Sequence, residues 1–328
     1  MNRMSRTLTV GAVAAFCAAS LAACNTESTN ASASSGSKTV TIGLANQQMS
    51  VTFPAAIAKG ARDEAKKLGV KLIVLDSQGD QAKQSSQVQD LVGQKVDGII
   101  LVPLSPGPAQ AMVDQADAAG VAVGTAHGYV GANQDVKTPY EKLKYVIDED
   151  EAGAGATAGK MAVEAVPGGG EVAVITGAAG FVENKTRVQE FEKALTDKGG
   201  FKIVANQPGD WTKEGGQSAC QNILAAHPKV SLFYAISDDM AVGCAAATKA
   251  AGSSAKIIGV GGSAGGIDAI KAGTVYGTVC YKPFTEGQMA VKAMVDSLKG
   301  KLSGTPKTTF YDTPGVTKDN VDSCQPQW

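Results

Sequence analysis

Short apolar runs rich in Val, Ile and Ala alternate with longer segments whose apolar positions recur every three to four residues. Residues 40–44, 71–75, 96–102 and 121–125 read as strands. Between the first two, Ile57, Ala61, Ala65 and Leu68 form a helical stripe that Pro54 opens and Gly69 stops. Residues 81–93 form a polar helix with Val88, Leu91 and Val92 inward, and residues 109–119 form another helix, ended by Gly120. Nearly continuous apolar strands separated by helices predict a parallel sheet covered on both faces. A short strand at 145–147 completes the set. The alternation then restarts, with helices at 152–166, 182–198, 213–226 and 238–251 and strands at 171–175, 201–205, 230–234, 256–260 and 275–280. An amphipathic helix at 284–298 and an extended stretch at 308–316 follow.

This pattern predicts two Rossmann-like, doubly wound α/β domains. We place the first at 38–147 plus 284–311 and the second at 148–283 plus 312–328. Three strand-like crossings join them, near 147–150, 281–283 and 311–313. The stretch from Tyr145 to Gly153 is the first crossing, and function is expected in the cleft that the crossings span.

The two ends of the picture are filled in by composition. Arg3 and Arg6 precede an apolar run at 8–19 and then Leu21, Ala22, Ala23 and Cys24. This run is too short for a membrane span and reads as a secretory signal at 1–23. Its ending resembles the bacterial lipoprotein lipobox, which implies cleavage before Cys24 and diacylglycerol on its sulfur. Residues 24–37, rich in Ser, Asn, Ala and Thr, read as a flexible tether. The body is therefore expected outside the cell, anchored to the outer face of the cytoplasmic membrane. Past Cys24 four cysteines remain, which suggests two disulfides in an exported chain. Three connectivities are open. The helix arrangement of a doubly wound sheet favours Cys220–Cys244, and the tail rejoining the second domain favours Cys280–Cys324. The formal net charge of −1 gives no case for a nucleic-acid partner. The two histidines, His127 and His227, stand far apart, and no His/Cys/carboxylate group has metal-ligand spacing, so neither a metal nor another cofactor is expected.

Candidate chemistry is sparse. Glycine-containing turns at 174–180 and 259–265 follow strands, but neither completes a nucleotide fingerprint, and both read as tight turns. No nucleophile elbow pairs with His127, and Asp148, Glu149 and Asp150 stand at a helix start, where acids serve as caps. An enzyme is not indicated. Arg187 lies on the helix that begins at a strand's carboxyl end, where α/β sheets bind ligands. Trp211, in a Pro-Gly-Asp-Trp loop, offers a flat face to a sugar or polyol.

The stretches 58–69, 75–80, 87–91 and 96–99, with 207–211, 226–230, 238–243 and 316–320, resemble the sugar-binding proteins of the ribose/galactose type. The resemblance runs from Lys38 to Asn320. It implies a type I periplasmic binding protein, a sugar, polyol or sugar-derived ligand, and delivery to an ABC permease by a monomer; a sensory receptor of the same fold is the alternative. Arg187 and Trp211 match the family's ligand-contacting arginine and stacking aromatic. Elsewhere the pattern departs: His127-Gly128 stands for Asp-Arg, Val102 and Ser237 for Asn, Gly261 for Asp and Tyr281 for Gln. Asn46, Gln47 and Gln48 remain as polar candidates, with Phe53 as a wall. The loss of two carboxylates beside a retained arginine lowers the expected hydroxyl count or favours a partly anionic ligand, not ribose itself. Asp148 is the remaining acid expected to reach it.

Overall fold

The computed structural model describes residues 39–131, 138–179 and 181–328, without the side chain of Val182. The expected signal, the tether and Cys24 lie outside the described residues. The first half of the chain runs β1 (Thr41–Asn46), α1 (Thr52–Leu68), β2 (Lys71–Asp76), α2 (Gln81–Gly93), β3 (Gly98–Leu101), α3 (Pro106–Ala118), β4 (Ala122–Ala126) and β5 (Val146–Glu149). The second half runs α4 (Glu151–Ala165), β6 (Gly170–Thr176), α5 (Val182–Lys198), β7 (Phe201–Pro208), α6 (Lys213–Ala226), β8 (Val230–Ala235), α7 (Asp238–Ala250), β9 (Lys256–Gly261), α8 (Ala264–Lys271) and β10 (Gly277–Cys280). The chain closes with α9 (Pro283–Leu298), β11 (Thr308–Tyr311), β12 (Gly315–Thr317) and a 3-10 helix at Lys318–Ser323.

Two six-stranded sheets result, ordered β11-β5-β4-β3-β1-β2 and β12-β10-β9-β8-β6-β7. The two orders are the same doubly wound plan used twice, each with one late strand added at the edge. Strand interiors are apolar because both sheet faces are covered. Ile42, Leu44 and Ile100 pack under α1 and α9, and Ile99 and Leu101 pack under α2 and α3. Val172–Ile175 and Leu232–Tyr234 lie in the core of the second lobe.

Two elements differ from the sequence expectation. The stretch 308–316 is not one strand. It splits at 312–314 into β11, parallel to β5, and β12, antiparallel to β10, so the second sheet is mixed. Pro314 sits at the split, where it has no N–H to give a ladder, and its carbonyl accepts from Cys280 N–H at 2.9 Å. β7 also continues through Asn206, Gln207 and Pro208. It is an edge strand with one partner, and its alternating partial exposure suits polar side chains.

The crossings fall at residue 150, at 281–282 and at 312–314, and hinge-like strands thus join the lobes. Cys220 on α6 bonds Cys244 on α7 with Cα atoms 5.3 Å apart, and Cys280 at the end of β10 bonds Cys324 with Cα atoms 6.0 Å apart. The first staples two helices that already pack closely, and the second ties the tail to the second crossing. Replacing Cys220 and Cys244 together by Ser is expected to cost roughly 2–4 kcal/mol in urea unfolding; a loss under about 1 kcal/mol would show that the link adds nothing to the helix packing.

Candidate ligand-binding site

The carboxyl ends of β1, β3 and β4 face those of β6 to β10 across a cavity of about 370 Å³. This is where parallel α/β sheets expose backbone groups and loops to a ligand. A depression of about 430 Å³ near Lys256 and Tyr276 lies at the opposite end of the second sheet, and its lining includes three lysines and two serines.

Arg187 sits at the cavity floor, 5% exposed. It reaches Glu151 at the start of α4 through both Nε and Nη2, the latter at 2.7 Å from Oε1, and its Nη1 donates to the carbonyl of Ile236 at 2.8 Å. Helices α4 and α5 must approach closely for this, and a Cβ on Gly155 would lie 2.3 Å from the carbonyl oxygen of Arg187. The hydroxyl of Tyr281, on the second crossing, donates to Glu151 Oε2 at 2.8 Å. The guanidinium also lies 5.1 Å from the Tyr281 ring centre and 5.9 Å from that of Trp211. Burial raises the Glu151 carboxyl to about 7 even though Arg187 pulls it down. A bidentate contact at these distances is an ion pair.

Five aromatic side chains wall the cavity: Phe53, Phe181, Trp211, Tyr281 and Trp328. Each tryptophan lies over a glycine at a strand end. A Cβ on Gly177 would meet the Trp211 ring at 1.9 Å, and one on Gly261 would meet the Trp328 ring at 2.5 Å. Trp328 donates from Nε1 to the Gly261 carbonyl at 3.0 Å, and its backbone oxygen accepts from Ala264 N–H at 2.9 Å. Its ring meets Phe53 edge-on, centres 5.4 Å apart. Trp211 has its buried Nε1 without a protein partner among the described residues. It adopts φ +62°, a left-handed conformation uncommon for a bulky residue, as do its neighbour Asp210 and, across the cavity, His127.

His127 lines the cavity from the first lobe, and its Nδ1 lies 2.6 Å from Glu149 Oε1. Burial disfavours the imidazolium, but Glu149 outweighs it and raises the His127 pKa well above the usual range. Burial likewise pushes Glu149 up, yet His127 and then Arg187 hold its carboxyl at about 2. Behind this pair, burial together with the neighbouring Glu149 pushes the carboxyls of Asp148 and Glu286 well above the ordinary range.

The cavity thus brings together Gln48, Phe53, His127, Arg187, Trp211, Ser237 and Tyr281, with Gln47. Ser237 also caps α7, its hydroxyl accepting from Met240 N–H at 3.4 Å. Two expected residues stay out of the wall. Asn46 is fully buried and spends its amide on its own loop, donating to the Pro54 carbonyl at 2.8 Å and accepting from Gln47 N–H at 2.8 Å. Asp148, 2% exposed, is buried in a cluster with His127, Glu149 and Glu286 and does not line the cavity. The acid that holds the cavity-floor arginine from this stretch is Glu151. The expectation of a partly anionic ligand also changes. The charge of Arg187 is matched by Glu151, and Glu183, Asp210 and Asp239 add further carboxylates to the lining. Trp328, absent from the sequence expectations, is a tail residue outside any periodic element and carries no local signal.

Two α/β lobes, three crossings and a ligand-sized cavity between strand ends define a two-lobed solute-binding protein. The chain belongs to the periplasmic binding protein domain family, whose profile matches residues 42–302. It is similar to the ribose import binding protein RbsB of Bacillus subtilis, with 30% identity over 268 residues covering 82% of this chain and 85% of that one. It is 28% identical over 324 residues to the xylitol-binding protein of Mycolicibacterium smegmatis, covering 97% of this chain and 88% of the other. In fold it matches an ABC transporter solute-binding protein from Bacillus halodurans solved with myo-inositol, with a TM-score of 0.80, 20% identity, and coverage of 88% and 98%.

Glu151→Ala is expected to cost about 3–5 kcal/mol in urea unfolding, because it leaves the Arg187 charge buried and unpaired. A cost below about 1 kcal/mol would mean that the pair is not held together in solution.

Proposed function

We propose that this chain is an extracytoplasmic solute-binding lipoprotein that captures a small neutral sugar, polyol or sugar-derived ligand and delivers it to the permease of an ABC transporter. The observation that carries this reading is the cavity between the two sets of strand ends, with aromatic faces on both sides and a charge-balanced arginine on its floor. Aromatic rings stack on the C–H faces of polyhydroxylated molecules, and carboxylates accept from their hydroxyls. The lining carries Glu183, Asp210 and Asp239 but no unmatched guanidinium, which favours a neutral ligand over a sugar acid. The buried N–H of Trp211 supplies a donor for a ligand oxygen. The relatives are named for ribose import and for xylitol, which agrees with this class.

Capture follows from the two-lobed plan. Ligand enters between the lobes, and closure is stabilised by contacts that both lobes make only when shut. The closed receptor then presents both lobes to the permease. It acts as a monomer, held at the membrane by diacylglycerol on Cys24, and performs no chemistry on its cargo.

Thermal unfolding with a panel of xylitol, myo-inositol, D-ribose and D-gluconate tests the ligand class. A neutral polyol or cyclitol is expected to raise Tm in a saturable way, and Trp211→Ala to weaken that ligand roughly tenfold or more. D-ribose is not expected to bind at micromolar concentration, because the ribose-type contacts are missing at His127, Gly261 and Tyr281. Stabilisation by D-gluconate alone would overturn the neutral-ligand reading.

A further inference from the structure

His127, Asp148, Glu149 and Glu286 each bring one donor atom to within 4.8 Å of the other three. They come from the end of β4, the end of β5 and the first turn of α9. Three carboxylates therefore face one imidazole, and Glu149 already holds that imidazole. Both carboxylate oxygens of Glu286, which is 0% exposed, lack a hydrogen-bond partner among the described residues, as does Oδ2 of Asp148. Arg187, the guanidinium of the cavity floor, is committed to Glu151 and to the Ile236 carbonyl. Buried carboxylates are as a rule paired, hydrogen-bonded or bound to metal. Here neither Asp148 nor Glu286 is paired with a Lys or Arg among the described residues, and a single divalent ion taking the place of their protons would match both.

We propose that His127, Asp148, Glu149 and Glu286 form a binding site for one divalent first-row transition ion of the Zn²⁺ or Mn²⁺ type, at the root of the first two crossings. One imidazole nitrogen and three carboxylate oxygens suit that class; Ca²⁺ takes about six to eight oxygens. Bonds of roughly 2.0–2.2 Å hold tetrahedral donors about 3.4 Å apart, so the widest separations must close by up to about 1.4 Å while the His127–Glu149 contact opens to admit the ion. His127 is the one member that lines the ligand cavity, and it gives the ion a route from solvent. Once bound, the ion links β4 and β5 to α9. It fixes the strand by which the chain leaves the first lobe and the helix by which it returns. The four residues lie up to 159 positions apart, so no local spacing marks them (His127 against Glu286).

The test uses the purified full chain, stripped with a chelator and titrated calorimetrically with ZnCl₂ and, separately, MnCl₂, with thermal unfolding read alongside. One equivalent of one of these ions is expected to bind and to raise Tm by about 5 °C at hundredfold excess over its Kd. Glu286→Gln and Asp148→Asn should each weaken binding roughly 100-fold or more and abolish the Tm rise. His227→Gln, a control for adventitious surface histidine binding, should leave both intact. The proposal is overturned if neither ion binds the unaltered chain, which would leave protons as the neutralising agent. It is also overturned if binding persists undiminished in both carboxylate variants, which would place the ion elsewhere on the protein.

Discussion

The structure turns on the buried ion pair between Arg187 and Glu151. Neither charge could stay in this interior without the other, since an isolated buried ion costs several kcal/mol. Its partners come from four places: the start of α4 just past the first crossing, the second turn of α5, the Ile236 carbonyl beyond β8, and Tyr281 on the second crossing. One guanidinium thereby sets the distance between two crossings and the depth of the cavity floor. It also decides the electrostatics of the cleft. A family arginine that looks, in sequence, like a free cation awaiting an anion is already neutralised. What it offers a ligand is its remaining donors and a cationic face against the Trp211 and Tyr281 rings.

Much of the architecture was legible beforehand, and for a physical reason. Strands buried on both faces leave continuous apolar runs, and the helices between them carry a 3.6-residue stripe, so alternation alone specifies two doubly wound sheets. Arg187, Trp211 and Phe53 were legible because they stand just past strand ends. What could not be read was direction. Asp148 and Glu151 are three residues apart, and which of them reaches Arg187 on the cavity floor depends on where β5 stops and α4 begins. Asn46 has the right position and the wrong role, since its side chain satisfies the loop that carries it. Trp328 belongs to a tail whose path is set by long-range contacts: the bond from Cys324 to Cys280 and the pair of hydrogen bonds between Gln327 and Thr285. Such contacts leave no trace in local periodicity.

The crossings gather polarity as well as chain. Behind the Arg187–Glu151 pair lies the second charged layer of His127, Glu149, Asp148 and Glu286, and Tyr311 on the third crossing approaches Glu149 Oε2 at 3.5 Å. Two-lobed receptors must bend at their crossings while keeping each lobe rigid. A charged, well-packed layer at the roots of the crossings concentrates flexibility in the few residues between the lobes. The ligand cavity on one side and this layer on the other share His127, so occupancy of either is felt by a common side chain.

The central claim is that ligand is held between Trp211 of the second lobe and the Trp328–Phe53 wall. The chain contains two tryptophans, and both line this cavity, so intrinsic fluorescence reports on the site without a label. Single-tryptophan variants, Trp211→Phe and Trp328→Phe, titrated with a neutral polyol that stabilises the protein, test the claim directly. A saturable emission change is expected from each remaining tryptophan, with a midpoint equal to the calorimetric Kd of the same variant. A ligand that binds calorimetrically while both emissions stay unchanged would contradict it.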